Sequence, residues 1–102
     1  MEDMDAVVME LIVNAGDGRS LAIQAIREAR AGRFEEAESL LEQSGEALTR
    51  CHHAQTDLIQ SELQGQSVPM SLLMVHAQDH IMNAMTVKDL ATELVATLKE
   101  KK

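Results

Sequence analysis

The chain is nearly without aromatic residues: Phe34 stands alone, with no Trp or Tyr. That removes the stacking surfaces on which single-stranded nucleic acids are held, and the bulky residues that strands favour. Cations are scarce as well. Nine Lys and Arg stand against 17 Asp and Glu, for a net charge of -8. Such a surface repels phosphate backbones, so no nucleic acid is expected as a partner. A single cysteine, Cys51, can make no internal disulfide, and its apolar helical setting suggests a small buried hydrophobe. No apolar run approaches the roughly 18 residues that would span a bilayer. The acidic start, residues 1–5, is not a secretory or mitochondrial leader. A cytoplasmic chain without direct membrane insertion is therefore expected.

One proline, Pro69, leaves long stretches uninterrupted. Apolar content is 45 %, supplied by Leu, Ile, Val, Ala and seven Met, which is a vocabulary for helices. The length suits one domain, residues 1–102, and the pattern predicts three helices at about 5–31, 33–62 and 69–101. In the first, Val8, Leu11, Ile12, Ala15, Leu21, Ala22, Ala25, Ile26 and Ala29 recur at helical spacing. Asp3 or Asp5 can cap its start, and Gly32 is a natural left-handed stop. The run Asn14-Ala15-Gly16-Asp17-Gly18-Arg19-Ser20 puts two glycines inside it, at a cost of roughly 1 kcal/mol each against Ala. A kink or a tight helix crossing explains them best, ahead of a surface where a partner approaches the backbone.

In the second helix Phe34, Ala37, Leu41, Ser44, Leu48, Cys51, Gln55 and Leu58 step by threes and fours. This is a seam for near-antiparallel packing in a bundle. On it, Ser44 reads as a small packing residue bonding back to its own helix. Gln55 reads as an amide that must find hydrogen-bond partners. His52 and His53 are adjacent, point about 100° apart and read as exposed. Residues 63–68 form a loop closed by Pro69, where the third helix should begin.

That third helix is apolar on too many sides. One stripe holds Leu73, His76, His80, Val87, Leu90, Leu94 and Leu98; a second holds Leu72, Val75, Asp79, Met82 and Thr86; a third holds Met74, Gln78, Ile81 and Met85. A monomeric bundle covers roughly one wide stripe per helix, so the excess argues for self-association. Within it, His76 and His80 sit one turn apart with Asp79 beside them. Burying such groups without partners costs roughly 1–3 kcal/mol each, so their presence asks for a reason.

Four readings compete. Two core histidines could be satisfied by neighbouring carbonyls. A zinc hydrolase could use His-x-x-Asp-His, close to an inverted zincin pattern, but Asp89, Glu93 and Glu100 lie too far along the same helix to complete it. Copies of Asp79 could share a metal ion at an oligomer axis, relieving a repulsion that otherwise forbids burying them together. Finally, His76 could carry a phosphoryl group while the imidazole one turn away donates to its oxygens, with Gln78 or Gln55 helping to orient it. Such transfer needs positioning and charge stabilisation rather than a deep cleft.

The segment Met74-Val-His-Ala-Gln-Asp-His-Ile-Met82 closely resembles the active-site signature of enzyme IIA of the lactose/cellobiose/N,N'-diacetylchitobiose class of the bacterial phosphoenolpyruvate-dependent sugar phosphotransferase system. The run from Asn14 to Ser20 is similar to that family's Asn-Ala-Gly-x-Ala-Arg-Ser, with Gly18 in place of the usual Ala. His52-His53-Ala54-Gln55-Thr56 is similar to its His-x-x-Gln-Thr. The resemblance implies an all-α, antiparallel three-helix bundle assembling as a homotrimer. It implies His76 as phosphoryl acceptor, His80 as its stabilising neighbour, and Asp79 at the trimer axis, where a divalent cation such as Mg2+ sits. Neither an organic cofactor nor contact with the sugar is implied. The implied donor is the histidine-containing phosphocarrier protein, and the acceptor is a cysteine of enzyme IIB. The competing reading is a non-catalytic helical interaction module with a metal-binding His/Asp cluster.

Overall fold

The computed structural model describes residues 4–101. It consists of α1 (Met4–Arg30), α2 (Phe34–Leu63) and α3 (Leu72–Glu100), with no strand among the described residues. The helices run up, down and up: Leu11 meets Cys51 near one end, and Glu38 meets Lys99 near the other. The bundle is slender, 52 × 22 × 19 Å. Asp3 lies outside the described residues, and Asp5 sits in the first turn of α1.

Both interhelical turns are made by glycine. Gly32 and Gly65 each take φ +86°, the left-handed region that side chains resist. After α1, Arg33 N donates to Glu28 O at 2.9 Å and Gly32 N to Ala29 O at 2.9 Å. After α2, Gln66 N donates to Ser61 O at 2.9 Å and Gly65 N to Glu62 O at 3.0 Å. Each pair is the six-to-one and five-to-two closure of a Schellman turn, which satisfies carbonyls the helix leaves open. Beside the first turn, the Arg33 guanidinium donates to the Glu28 carboxylate, and that hydrogen bond lowers the Glu28 pKa.

The third helix begins later than the proline suggests. Pro69 lies in the loop, and α3 starts at Leu72 behind Ser71, whose hydroxyl accepts from Met74 N at 3.1 Å. A serine cap satisfies an amide that Pro69 cannot, so the cap sets the boundary. Ser44 also departs from expectation. It bonds not to its own helix but across to α1, donating to Gly18 O at 2.6 Å while fully buried. α1 runs unbroken through Gly16 and Gly18, so there is no kink, and Gly18 alone marks a close crossing. A Cβ on Gly18 would lie 2.6 Å from Leu48 Cδ2, whereas one on Gly16 would meet nothing within 4 Å.

Apolar side chains gather on either side of this waist. Toward one end Val8, Leu11, Leu48, Cys51, Met74 and Ile81 form the main cluster; toward the other, Ala25, Ala29, Ala37 and Val95 pack with Phe34. Burial raises the pKa of the Cys51 thiol, whose Sγ lies 3.6 Å from Leu11 O, so the cysteine is a core residue. No helix of the described chain is long and apolar enough to cross a membrane.

The crossing makes a paired prediction. Gly18→Val overpacks Leu48 and should destabilise the fold by about 1–3 kcal/mol. Gly16→Ala relieves helix entropy in open space and should stabilise it by up to about 1 kcal/mol. Urea denaturation followed by circular dichroism measures both, and a reversed order would remove Gly18 from the contact.

Candidate functional site

The buried line of α3, namely Met74, Ala77, Ile81, Ala84, Ala91 and Val95, fixes how the helix is rotated. With that line inward, His76 is exposed and His80 half-buried. Their Nε2 atoms lie 3.0 Å apart, with the rings at 84° and centroids 4.4 Å apart. At that distance a hydrogen bond forms when one Nε2 carries a proton and the other accepts it, the tautomers setting which does so. The expected pair is thus assembled within one helix turn, and its outer member faces open space. His52 and His53 are exposed on α2, as their adjacency suggested.

Gln55 and Gln78 come together elsewhere. Gln55 Nε2 donates to Gln78 Oε1 at 2.7 Å, across from α2 to α3. Gln78 follows His76 by two residues, roughly 200° around the helix, so this amide pair occupies the opposite flank. Within one chain it does not adjoin the histidines. It forms the floor of a groove of about 310 Å³ between the end of α2 and the start of α3, walled by Leu58, Ile59, Met70 and Val75. The sequence offered little sign of this groove beyond the apolar Val68 and Met70 beside Pro69.

Asp79 borders the same groove and is exposed. No three His, Cys, Asp or Glu among the described residues could hold a metal ion within one chain. One chain therefore supplies one carboxylate, and a metal site there needs further copies. Around it the α3 surface is apolar and uncovered: Leu72 is 86 % exposed, Met82 53 % and Leu90 65 %. The single bundle leaves bare the surplus stripe that its sequence displays.

Residues 6–99 match the family model described as the lactose/cellobiose-specific IIA subunit of the PTS system. Over 94 residues the chain is 50 % identical to the lichenan-specific phosphotransferase enzyme IIA component of Bacillus subtilis, covering 92 % of this chain and 86 % of that one. The crystal structure of the cellobiose-specific enzyme IIA from Bacillus anthracis superposes with a TM-score of 0.91 at 42 % identity, covering 98 % and 93 % of the two chains. The IIA(Chitobiose)–HPr complex of Escherichia coli superposes at 0.84 and 39 % identity, covering 98 % and 97 %.

The amide pair can be tested by itself. Gln55→Ala and Gln78→Ala each remove one side of a half-buried hydrogen bond. A double-mutant cycle in urea should return a coupling of about 0.5–1.5 kcal/mol. Additive effects would mean that the two amides do not support one another.

Proposed function

Because the chain belongs to the lactose/cellobiose-specific IIA family of the sugar phosphotransferase system, we propose that it is a phosphocarrier acting through His76. In this reading the Nε2 lone pair of His76 attacks phosphorus on the phosphohistidine of the histidine-containing phosphocarrier protein. The donor's N–P bond breaks, and the donor imidazole leaves with the electron pair. A cysteine thiolate of enzyme IIB then attacks the same phosphorus, and His76 is released. The observation that carries the proposal is the exposed His76 ring with His80 Nε2 3.0 Å from its own Nε2. A phosphoryl group on His76 would take the place of that contact, and the His80 N–H would then donate to a phosphoryl oxygen. The solved complex of a relative with HPr supports the choice of donor. The relatives' names span lichenan, cellobiose and chitobiose, as suits a carrier that never meets the sugar.

Assembly belongs to the same proposal. The uncovered stripe of Leu72, Val75 and Met82 packs against copies of itself in a homotrimer, bringing three Asp79 carboxylates to the axis. Carboxylate oxygens are hard donors, suited to a divalent cation such as Mg2+, which would offset their mutual repulsion. Since Gln55 and Gln78 lie on the flank away from their own histidines, any support they lend to transfer comes through an adjoining copy.

Incubation with the general phosphotransferase proteins and labelled phosphoenolpyruvate should place acid-labile, base-stable phosphate on the chain. His76→Ala should abolish the label, while His52→Ala and His53→Ala keep it. His80→Ala should fold normally, yet pass the group on more slowly by on the order of 10²-fold. Label persisting in the His76 variant would refute the acceptor.

A second prediction addresses the axis. Asp79→Leu exchanges mutually repelling carboxylates for apolar contact and should stay trimeric. It should gain stability, by about 1–4 kcal/mol at most, with the gain clearest in EDTA. Sedimentation velocity with and without chelator is the check; a variant that dissociates would show that Asp79 does not meet its copies.

A further inference from the structure

Asn83 follows Asp79 by one helical turn and, like it, is exposed. Neither side chain makes a hydrogen bond or ion pair among those found within the chain. On the same side of α3, Leu72 lies two turns before Asp79, Met82 beside Asn83 and Leu90 two turns after it, all three large apolar residues left exposed. Two bare oxygen-bearing groups on an apolar stripe are costly to cover unless something satisfies both. No basic side chain is placed to do so. α3 carries no Lys or Arg before Lys88, and Lys88 turns toward Gly45 of α2, where its Cε would lie 3.8 Å from an added Cβ.

We infer that Asn83 is a second ligand at the Asp79 axis, so that three copies build a six-oxygen site for a hard divalent cation. The inference rests on the trimeric reading above. Side chains four residues apart on a helix have Cβ atoms about 5–6 Å apart, close enough for both oxygens to reach one ion. Asn Oδ1 is a neutral hard donor, so three amides complete the coordination without adding charge to three carboxylates. A mixed set of carboxylate and carbonyl oxygens suits Ca2+ or Mn2+ at least as well as Mg2+, which keeps most of its own water. The amide therefore sets both affinity and choice of ion, while Asp79 supplies the charge.

The test uses Mn2+ as probe on the full chain, read by electron paramagnetic resonance and calorimetry, with sedimentation velocity in parallel. The wild type should bind one Mn2+ per three chains, and Ca2+ should displace it. Asn83→Ala should remain trimeric but bind Mn2+ at least about 10-fold more weakly. Asn83→Asp should bind it more tightly and make the trimer more sensitive to EDTA than the wild type. Equal Mn2+ affinity in wild type and Asn83→Ala would overturn the inference while leaving Asp79 at the axis. A trimeric wild type that takes up no Mn2+ would overturn the site. A monomeric wild type would overturn the assembly and this site together, and phosphoryl labelling of His76 would then report separately on the carrier.

Discussion

The approach of α1 to α2 at Gly18 governs the dimensions of the whole molecule. There Leu48 fills the space a Cβ would occupy, and the Ser44 hydroxyl reaches across to the Gly18 carbonyl at 2.6 Å. Ala22, Ala47 and Ala91, all buried, are comparably small. With one aromatic residue in the chain, the core is thin and the helices lie close. Close packing of small side chains gains dispersion energy over many atoms, but buries little apolar area per residue.

That thinness bears on the surface. A bundle only about 20 Å across can cover one face of each helix, and α3 carries apolar residues on three. The inward face is taken by Met74, Ile81 and Val95, leaving Leu72, Met82 and Leu90 bare. The same rotation turns His76 outward to solvent and keeps the half-buried His80 close behind it.

Two polar pairs show how location separates roles. His76 and His80 lie within one helix turn, so their contact is local and needs only the helix that carries them. Gln55 and Gln78 are 23 residues apart, and their 2.7 Å bond exists only because α2 folds back on α3. The first pair is suited to chemistry at a surface. The second ties two helices beside an apolar groove that one chain leaves open.

Much of this was legible before any fold was known, because it depends on spacing along one helix. Helical period located the three helices to within about three residues, Gly32 announced its turn, and the interval from His76 to His80 brought two imidazoles into edge-on contact. The surplus stripe on α3 could likewise be read from its pattern. What depended on a second helix could not be read in the same way. Ser44 looked like a residue bonded to its own turn, because nothing in its neighbours reveals a carbonyl 26 residues away. Pro69 looked like the first residue of α3, although the Ser71 cap places that start at Leu72. Gln78 looked like a companion of His76, although two residues put it about 200° away around the helix, and only the packing of α2 on α3 decided that it meets Gln55. Local spacing determined which residues share a helix face; packing between helices decided what each face meets.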